Sequence, residues 1–213
     1  MSTNFKITIV DYGVGNTHNV LKAFDRFCPQ IHLSGNKKEI MKSDALVLPG
    51  VGSFQSGMSG LRKRGLIDPI KEFAHMEKPI IGICLGAQLL LSTGCEFGTF
   101  SGLGIILGQV VKFPNLENKV KIPHIGWSEI CLPQRKNWKN TILDSMPEKS
   151  NMYFVHSYNL KPDDPEDVLA ISEYGGHEFC AAVKKGNIYG CQFHPERSGE
   201  IGLSIIKNFI ESI

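Results

Sequence analysis

The stretch Gly82-Ile83-Cys84-Leu85-Gly86 constrains this chain more than any other. An apolar run, Pro79-Ile80-Ile81, leads into it, and a helix-like run, Ala87-Gln88-Leu89-Leu90-Leu91, follows it. A strand, a sharp Gly-flanked turn bearing a nucleophile, then a helix is the layout of a nucleophile elbow, here with a thiol in place of serine. The flanking glycines let the backbone turn through a strained conformation without Cβ clashes. A helix N-terminus behind Cys84 offers free N–H groups and a positive dipole end, which lower a thiol pKa. Taken alone, Cys84 also reads as a buried core thiol, a common place for free cysteine.

The sequence around the elbow alternates short apolar runs with helical patterns. Lys6 to Val10 reads as a buried strand that ends at Asp11-Tyr12-Gly13-Val14-Gly15-Asn16. From Thr17 to Phe27, Val20, Leu21, Phe24 and Phe27 fall at helical spacing, with Thr17 as the expected N-cap. The GVGN run lacks the third glycine of a dinucleotide-binding turn. Strands are expected near Gln30 to Leu33 and at Ala45 to Leu48, the latter stopped by Pro49-Gly50-Val51-Gly52. An irregular segment and a helix from about Ile67 to His75 come next. This rhythm predicts a largely parallel sheet covered on both faces.

After the elbow the rhythm changes to successive strands: Gly102 to Phe113, Val120 to Ile130, Met152 to Tyr158, Leu169 to Ser172, Ala181 to Val183 and Ile188 to Phe193. Gly175-Gly176 and Lys185-Gly186-Asn187 read as hairpin turns, and Lys161 to Asp167 as an exposed loop. A last helix, about Gly199 to Glu211, carries Ile201, Ile205, Ile206 and Phe209 on one side. The expected fold is α/β and flavodoxin-like: a mostly parallel central sheet, flanking helices and an added antiparallel region. With 213 residues, one domain spanning 1–213 has a core of ample size.

Composition excludes several function classes. A net charge of +2 argues against nucleic-acid binding by bulk electrostatics, and the short basic clusters read as solvated faces. No apolar run approaches the ~20 residues needed to span a bilayer. The N-terminal residues lack the pattern of a secretory signal, and the six cysteines form no CxxC pair, so a reducing cytoplasm is expected. The His and Cys residues show no metal-ligand spacing, and no metal or other cofactor is expected.

Cys84 needs a base, and Phe193-His194-Pro195-Glu196 offers one directly after an apolar strand. Side chains at strand C-terminal ends point into the crevice of an open α/β sheet. His194 there can take the thiol proton, and Glu196 can orient and stabilise the resulting imidazolium. Pro195 fixes the chain between them and holds His194 extended. Donors for an oxyanion are expected from the Leu85 N–H and from Gly50, Val51 and Gly52, whose glycines permit a peptide flip. Read singly, His194 fits a buried histidine satisfied by backbone, and Pro49 to Gly52 a tight turn.

GICLGAQLL, paired with FHPE and PGVG, resembles the class I (triad) glutamine amidotransferases. Within that family, DYGVGN, LPGVGSFQSGM, KIPHIGW (Lys121 to Trp127), YFVHSY (Tyr153 to Tyr158) and GCQFHPERSG resemble the glutaminase subunits of imidazole glycerol phosphate synthases, in order along almost the whole chain. The resemblance implies a Cys84-His194-Glu196 triad hydrolysing L-glutamine to glutamate and ammonia for histidine biosynthesis. It implies Gln88 and Glu96 at the amino-acid end of glutamine, and Ser157 and Tyr158 at its carboxylate. It further implies a (β/α)8-barrel synthase partner in a heterodimer, with Asn16, Pro123, His124, Trp127, Tyr153 and Arg197 in the interface. Trp127 suits an interface but also a core. Arg197 stands where many members carry lysine, and His18 where a smaller residue is expected; both also fit a paralogue feeding ammonia to another acceptor, such as a sugar-amidating enzyme of surface-polysaccharide synthesis. A Cys-dependent peptidase leaves Glu96 and PHIGW unexplained, and a silent scaffold leaves the triad unexplained.

Overall fold

A computed structural model describes residues 5–15, 17–28, 30–114 and 120–213. Its first half holds β1 (Ile7–Val10), α1 (Thr17–Asp25), β2 (Ile31–Ser34), α2 (Lys37–Met41) and β3 (Ala45–Leu48). Then come α3 (Phe54–Lys63), α4 (Ile67–His75), β4 (Ile80–Ile83) and α5 (Leu85–Leu89). The strands β5 (Leu91–Gly94), β6 (Phe100–Ser101), β7 (Ile106–Lys112), β8 (His124–Ile130) and β9 (Ser150–His156) follow. The chain closes with β10 (Tyr158–Pro162), β11 (Val168–Tyr174), β12 (His177–Lys185), β13 (Ile188–Cys191) and α6 (Gly199–Glu211).

One 11-stranded sheet runs β2-β1-β3-β4-β13-β12-β10-β7-β5-β6, with β11 beside β12. The strands from β2 to β13 are mutually parallel. In β1, β3, β4 and β13 every residue is buried, as expected of strands covered on both faces. Their side chains alternate between two cores. Ile9, Val47 and Ile81 face α1 and α6 with Phe24 and Phe209, while Leu46, Leu48 and Ile80 face α3 and α4 with Phe54 and Phe73. The β12, β10 and β7 strands extend the sheet in antiparallel fashion, and β8 and β9 form a separate two-stranded ribbon. Gly175-Gly176 joins β11 to β12 with φ of 60° and 77°, a turn whose twist matches the strands it connects.

Several expectations change, beginning with Lys161 and Pro162, which pair in β10 instead of lying in a loop. The segment read as irregular contains α3, whose Ser53 cap accepts the Ser56 N–H at 3.2 Å. Its Gly60 weakens the helical signal, but a Cβ there would lie 2.2 Å from the Tyr12 carbonyl, so close packing decides the residue. The elbow helix is only five residues long, and Leu91 belongs to β5, where pairing with β7 captures it. Thr17 is the first helical residue, so the cap position falls on residue 16, outside the described residues. Finally, Ile201 is 39% exposed, apart from the buried Ile205, Ile206 and Phe209 stripe.

Candidate active site

The elbow is built by steric exclusion. A Cβ on Gly86 would lie 1.7 Å from the Leu48 carbonyl oxygen, and one on Gly82 would lie 2.7 Å from the Ala87 backbone. Only glycine lets β3, β4 and α5 close to this distance. The strained dihedrals fall on Cys84 itself, at φ 52° and ψ −108°, rather than on its flanking glycines. The Cys84 N–H donates to Cys191 O at 2.7 Å, locking the turn to the end of β13. Its sulfur lies 3.9 Å from both the Val155 carbonyl and the Gln192 amide nitrogen.

His194 leaves the end of β13 with φ −102° and ψ 93°, the extended geometry Pro195 imposes. Its N–H donates to Tyr153 O at 2.9 Å, and its carbonyl accepts the Ser198 hydroxyl at 2.7 Å. The ring Nδ1 lies 2.8 Å from Glu196 Oε1, with both side chains almost wholly buried, at 4% and 3% exposed. His194 Nε2 is buried with no hydrogen-bond partner among the described residues. Burial opposes charge on this ring. The Cys84 sulfur and the Glu196 carboxylate outweigh it and raise the pKa to about 10. The raised value favours the imidazolium form of His194 at neutral pH.

The oxyanion side differs from expectation. The Leu85 N–H is not free; it donates to the Gly50 carbonyl at 3.3 Å. Gly50 is clamped there, since a Cβ would lie 2.6 Å from the Tyr12 hydroxyl and 2.8 Å from Leu85 Cβ. The Tyr12 hydroxyl itself donates to the Pro49 carbonyl. Val51 is exposed, and Gly52, at φ 125°, has open space around it. The loop is therefore tightly packed at Gly50 and open to solvent at Val51 and Gly52.

A cleft of about 250 Å³ opens beside Cys84, lined by Gln88, Glu96, Ser157 and Tyr158 together with Val51 and Gly52. Gln88 Nε2 donates to the Tyr158 carbonyl and to Gln192 Oε1, both at 3.1 Å, leaving its Oε1 as an acceptor. One Glu96 oxygen accepts the Phe54 N–H at 2.7 Å, which ties the carboxylate to the start of α3. Burial and then the Glu96 charge push the Tyr158 phenol pKa up. A larger cleft of about 620 Å³ lies at the N-terminal ends of β4 and β13, lined by Lys71, His75 and Lys185 and not by Cys84.

Of the expected interface residues, Trp127 is 57% exposed and meets Tyr153 edge-on at 5.9 Å. The Arg197 guanidinium sits 4.5 Å above the Tyr153 ring. Pro123 is exposed and borders the cleft. His124 does not fit the expectation: it is 1% exposed, because strand alternation turns it inward from β8. Asn16 lies outside the described residues. The sequence reading passed over Tyr12, Gln192 and His156. Gln192 and His156 each carried a signal, a polar residue within an apolar strand pattern. Among the described residues no helix is long and apolar enough to cross a membrane, and no cluster of three His, Cys, Asp or Glu is arranged to hold a metal.

Residues 8–213 match the family Glutamine amidotransferase class-I. The chain is 48% identical over 209 residues to "Imidazole glycerol phosphate synthase subunit HisH 1" of Legionella pneumophila (strain Lens), covering 96% of this chain and 98% of that protein. It is 40% identical over 210 residues to "Imidazole glycerol phosphate synthase subunit HisH" of Geobacter sulfurreducens, covering 97% and 98%. A solved structure described as "Structure of PurLQS from Thermotoga maritima" shares the fold, with a TM-score of 0.73 at 20% identity over 98% of this chain and 99% of that one.

Proposed function

The chain belongs to the class-I glutamine amidotransferase family, and from that premise we propose that it is the glutaminase subunit of an imidazole glycerol phosphate synthase, acting in histidine biosynthesis. The observation that carries the reading is the buried Cys84, His194 and Glu196 set beside a cleft holding Gln88 and Glu96, in a chain nearly half identical to a curated subunit of that synthase. In this reading the chain is one amidotransferase domain, works in the cytoplasm and needs no cofactor.

The Cys84 thiolate attacks the side-chain amide carbon of glutamine. As the C–S bond forms and the C–N bond breaks, His194 gives its proton to the leaving nitrogen and ammonia departs. Water then attacks the γ-glutamyl thioester, with His194 taking its proton. The C–S bond breaks and glutamate leaves. Glu196 holds the ring and its charge throughout. Glu96 pairs with the substrate ammonium and Gln88 Oε1 accepts from it, while Ser157 and the Tyr158 region donate to the carboxylate.

The oxyanion needs a donor that the Gly50 carbonyl now occupies. Rotation of the Gly50–Val51 peptide takes that carbonyl off Leu85 and brings the Val51 N–H in. Release of this peptide is coupled to docking of a (β/α)8-barrel synthase subunit on the face bearing Pro123, Trp127, Tyr153 and Arg197. Low glutamine turnover by the isolated subunit is the consequence, and it prevents ammonia release without an acceptor. Co-purification with the synthase subunit, followed by glutaminase assay with and without it, tests the reading. Strong stimulation is expected; equal turnover in both states overturns it. In the complex, Cys84→Ala abolishes glutamine-driven synthesis, a loss of at least ~10³-fold, and leaves ammonium-driven synthesis intact. Retained glutamine-driven synthesis overturns the nucleophile.

A further inference from the structure

Behind the exposed face of β8 runs a hydrogen-bonded chain that the triad chemistry does not use. His124 is sandwiched between Phe154 and Tyr174, at 5.0 and 4.0 Å between ring centres. His156 packs against Phe113 and Phe179, each at 5.2 Å. The two imidazoles meet at 3.3 Å, from His124 Nδ1 to His156 Nε2. His156 Nδ1 lies 3.0 Å from the Tyr158 carbonyl, and Ser128 Oγ lies 3.0 Å from His124 Nε2.

With both rings neutral, chemistry allows only one proton order. A carbonyl accepts and never donates, so His156 carries its proton on Nδ1 and accepts at Nε2. His124 therefore donates from Nδ1 and accepts at Nε2, and the Ser128 hydroxyl is the donor that ends the chain. Burial keeps both rings neutral, holding His124 at about 4 and His156 at about 3. The Tyr158 carbonyl also accepts from Gln88, Gln88 reaches Gln192, and Gln192 lies 3.9 Å from the Cys84 sulfur. An unbroken series of contacts thus joins the β8–β9 ribbon to the glutamine pocket.

The ribbon does not need these imidazoles for its own pairing, since β8 and β9 pair in register at all seven residues. Apolar rings would fill the same space without burying four nitrogens. What the imidazoles supply is a donor that fixes the Tyr158 carbonyl, and through it the Gln88 amide. We propose that His124 and His156 are positioning residues for glutamine, setting the pocket formed by Tyr158 and Gln88 and tying its geometry to the ribbon that carries Trp127. Only the tie to the ribbon as a docking element rests on the heterodimer reading above.

The test uses the complex with the synthase subunit and three variants. His124→Phe keeps a ring in the stack and removes both nitrogens. His156→Phe also removes the donor to Tyr158. His156→Asn retains a donor at the Nδ1 position and loses the acceptor for His124. Expected is a rise in KM for glutamine of about tenfold in His124→Phe, the scale of one buried hydrogen bond. His156→Phe should show a larger rise and His156→Asn a smaller one. Changes in kcat are below about threefold, and ammonium-driven synthesis is unchanged. Nitrogen-15 imidazole spectra of the unmodified protein should show Nδ1–H on both rings, an outcome independent of how the variants fold. Unchanged KM across the series, a KM rise no smaller in His156→Asn than in His156→Phe, or an Nε2–H signal on His156 overturns the proposal. If the unmodified complex itself fails to turn over glutamine, the functional reading falls instead.

Discussion

The two flanks of Cys84, a base side and an oxyanion side in the proposed reaction, are in different states: the first is assembled, and the second is closed on itself. On the base side, His194 and Glu196 meet at 2.8 Å inside the core, with Pro195 limiting the chain between them. On the oxyanion side, the Gly50 carbonyl takes the Leu85 N–H that the proposed reaction would use. The first flank is made of side chains that burial and backbone bonds hold in one arrangement. The second is the Gly50–Val51 peptide, which the proposed reaction requires to take a second arrangement. Under the proposed function, such a site would keep its nucleophile ready while withholding the stabilisation of the transition state.

Breaking the assembled flank should have the largest effect. Glu196→Gln keeps shape and removes charge, and we expect kcat to fall by roughly 10²–10⁴-fold, as when a triad carboxylate is neutralised. It should also lower the His194 pKa from about 10 toward its ordinary value, by removing one of the two groups that raise it. Because the folded value lies above the unfolded one near 6.5, the pair contributes stability fully below about pH 6.5 and loses it as pH rises through about 10. NMR titration of His194 and unfolding measured across that range check both points.

Gly86→Ala strikes both flanks together. Its Cβ would meet Leu48 O at 1.7 Å, and a loss of about 3 kcal/mol or more in denaturant unfolding is expected. Gly52→Ala sharpens the comparison, because its Cβ meets nothing and the penalty is only the φ of 125°. We expect a loss of about 1 kcal/mol in stability, an unchanged His194 titration, and a partner-stimulated rate lowered about tenfold because the loop cannot reach its second arrangement. Stimulation at the unmodified level would show that both flanks are already complete. Arg197→Lys should be the mildest. It keeps a cation over Tyr153 but loses planar stacking, so complex affinity measured by calorimetry should fall less than about fivefold.

Much of the fold was legible because parallel buried strands are continuous apolar runs. Ala45 to Leu48, Ile67 to His75 and Gly199 to Glu211 have the same bounds in sequence reading and structure. The helix α3 was hidden because Gly57 and Gly60 lower helical propensity for the sake of close packing. The elbow helix was overextended because Leu89, Leu90 and Leu91 look alike to a helix and to a strand, and only β7 distinguishes them. Cys84, His194 and Glu196 were visible as residue types at strand ends. The inward turn of His124 and the contact of Gln192 with the sulfur depend on strands far apart in sequence.

Sequence alone determined which groups are available: a thiol at a Gly-flanked turn, a Phe-His-Pro-Glu tetrad after a strand, a glycine-rich loop and an acid at Glu96. Those are covalent facts that no packing can change. Tertiary structure alone decided how the groups are used. It placed strain on Cys84 rather than on its glycines and turned His124 into the core. It also set the Gly50 carbonyl on the Leu85 N–H. Peptide orientations of this kind differ by only a few kcal/mol, and contacts across the whole sheet settle them.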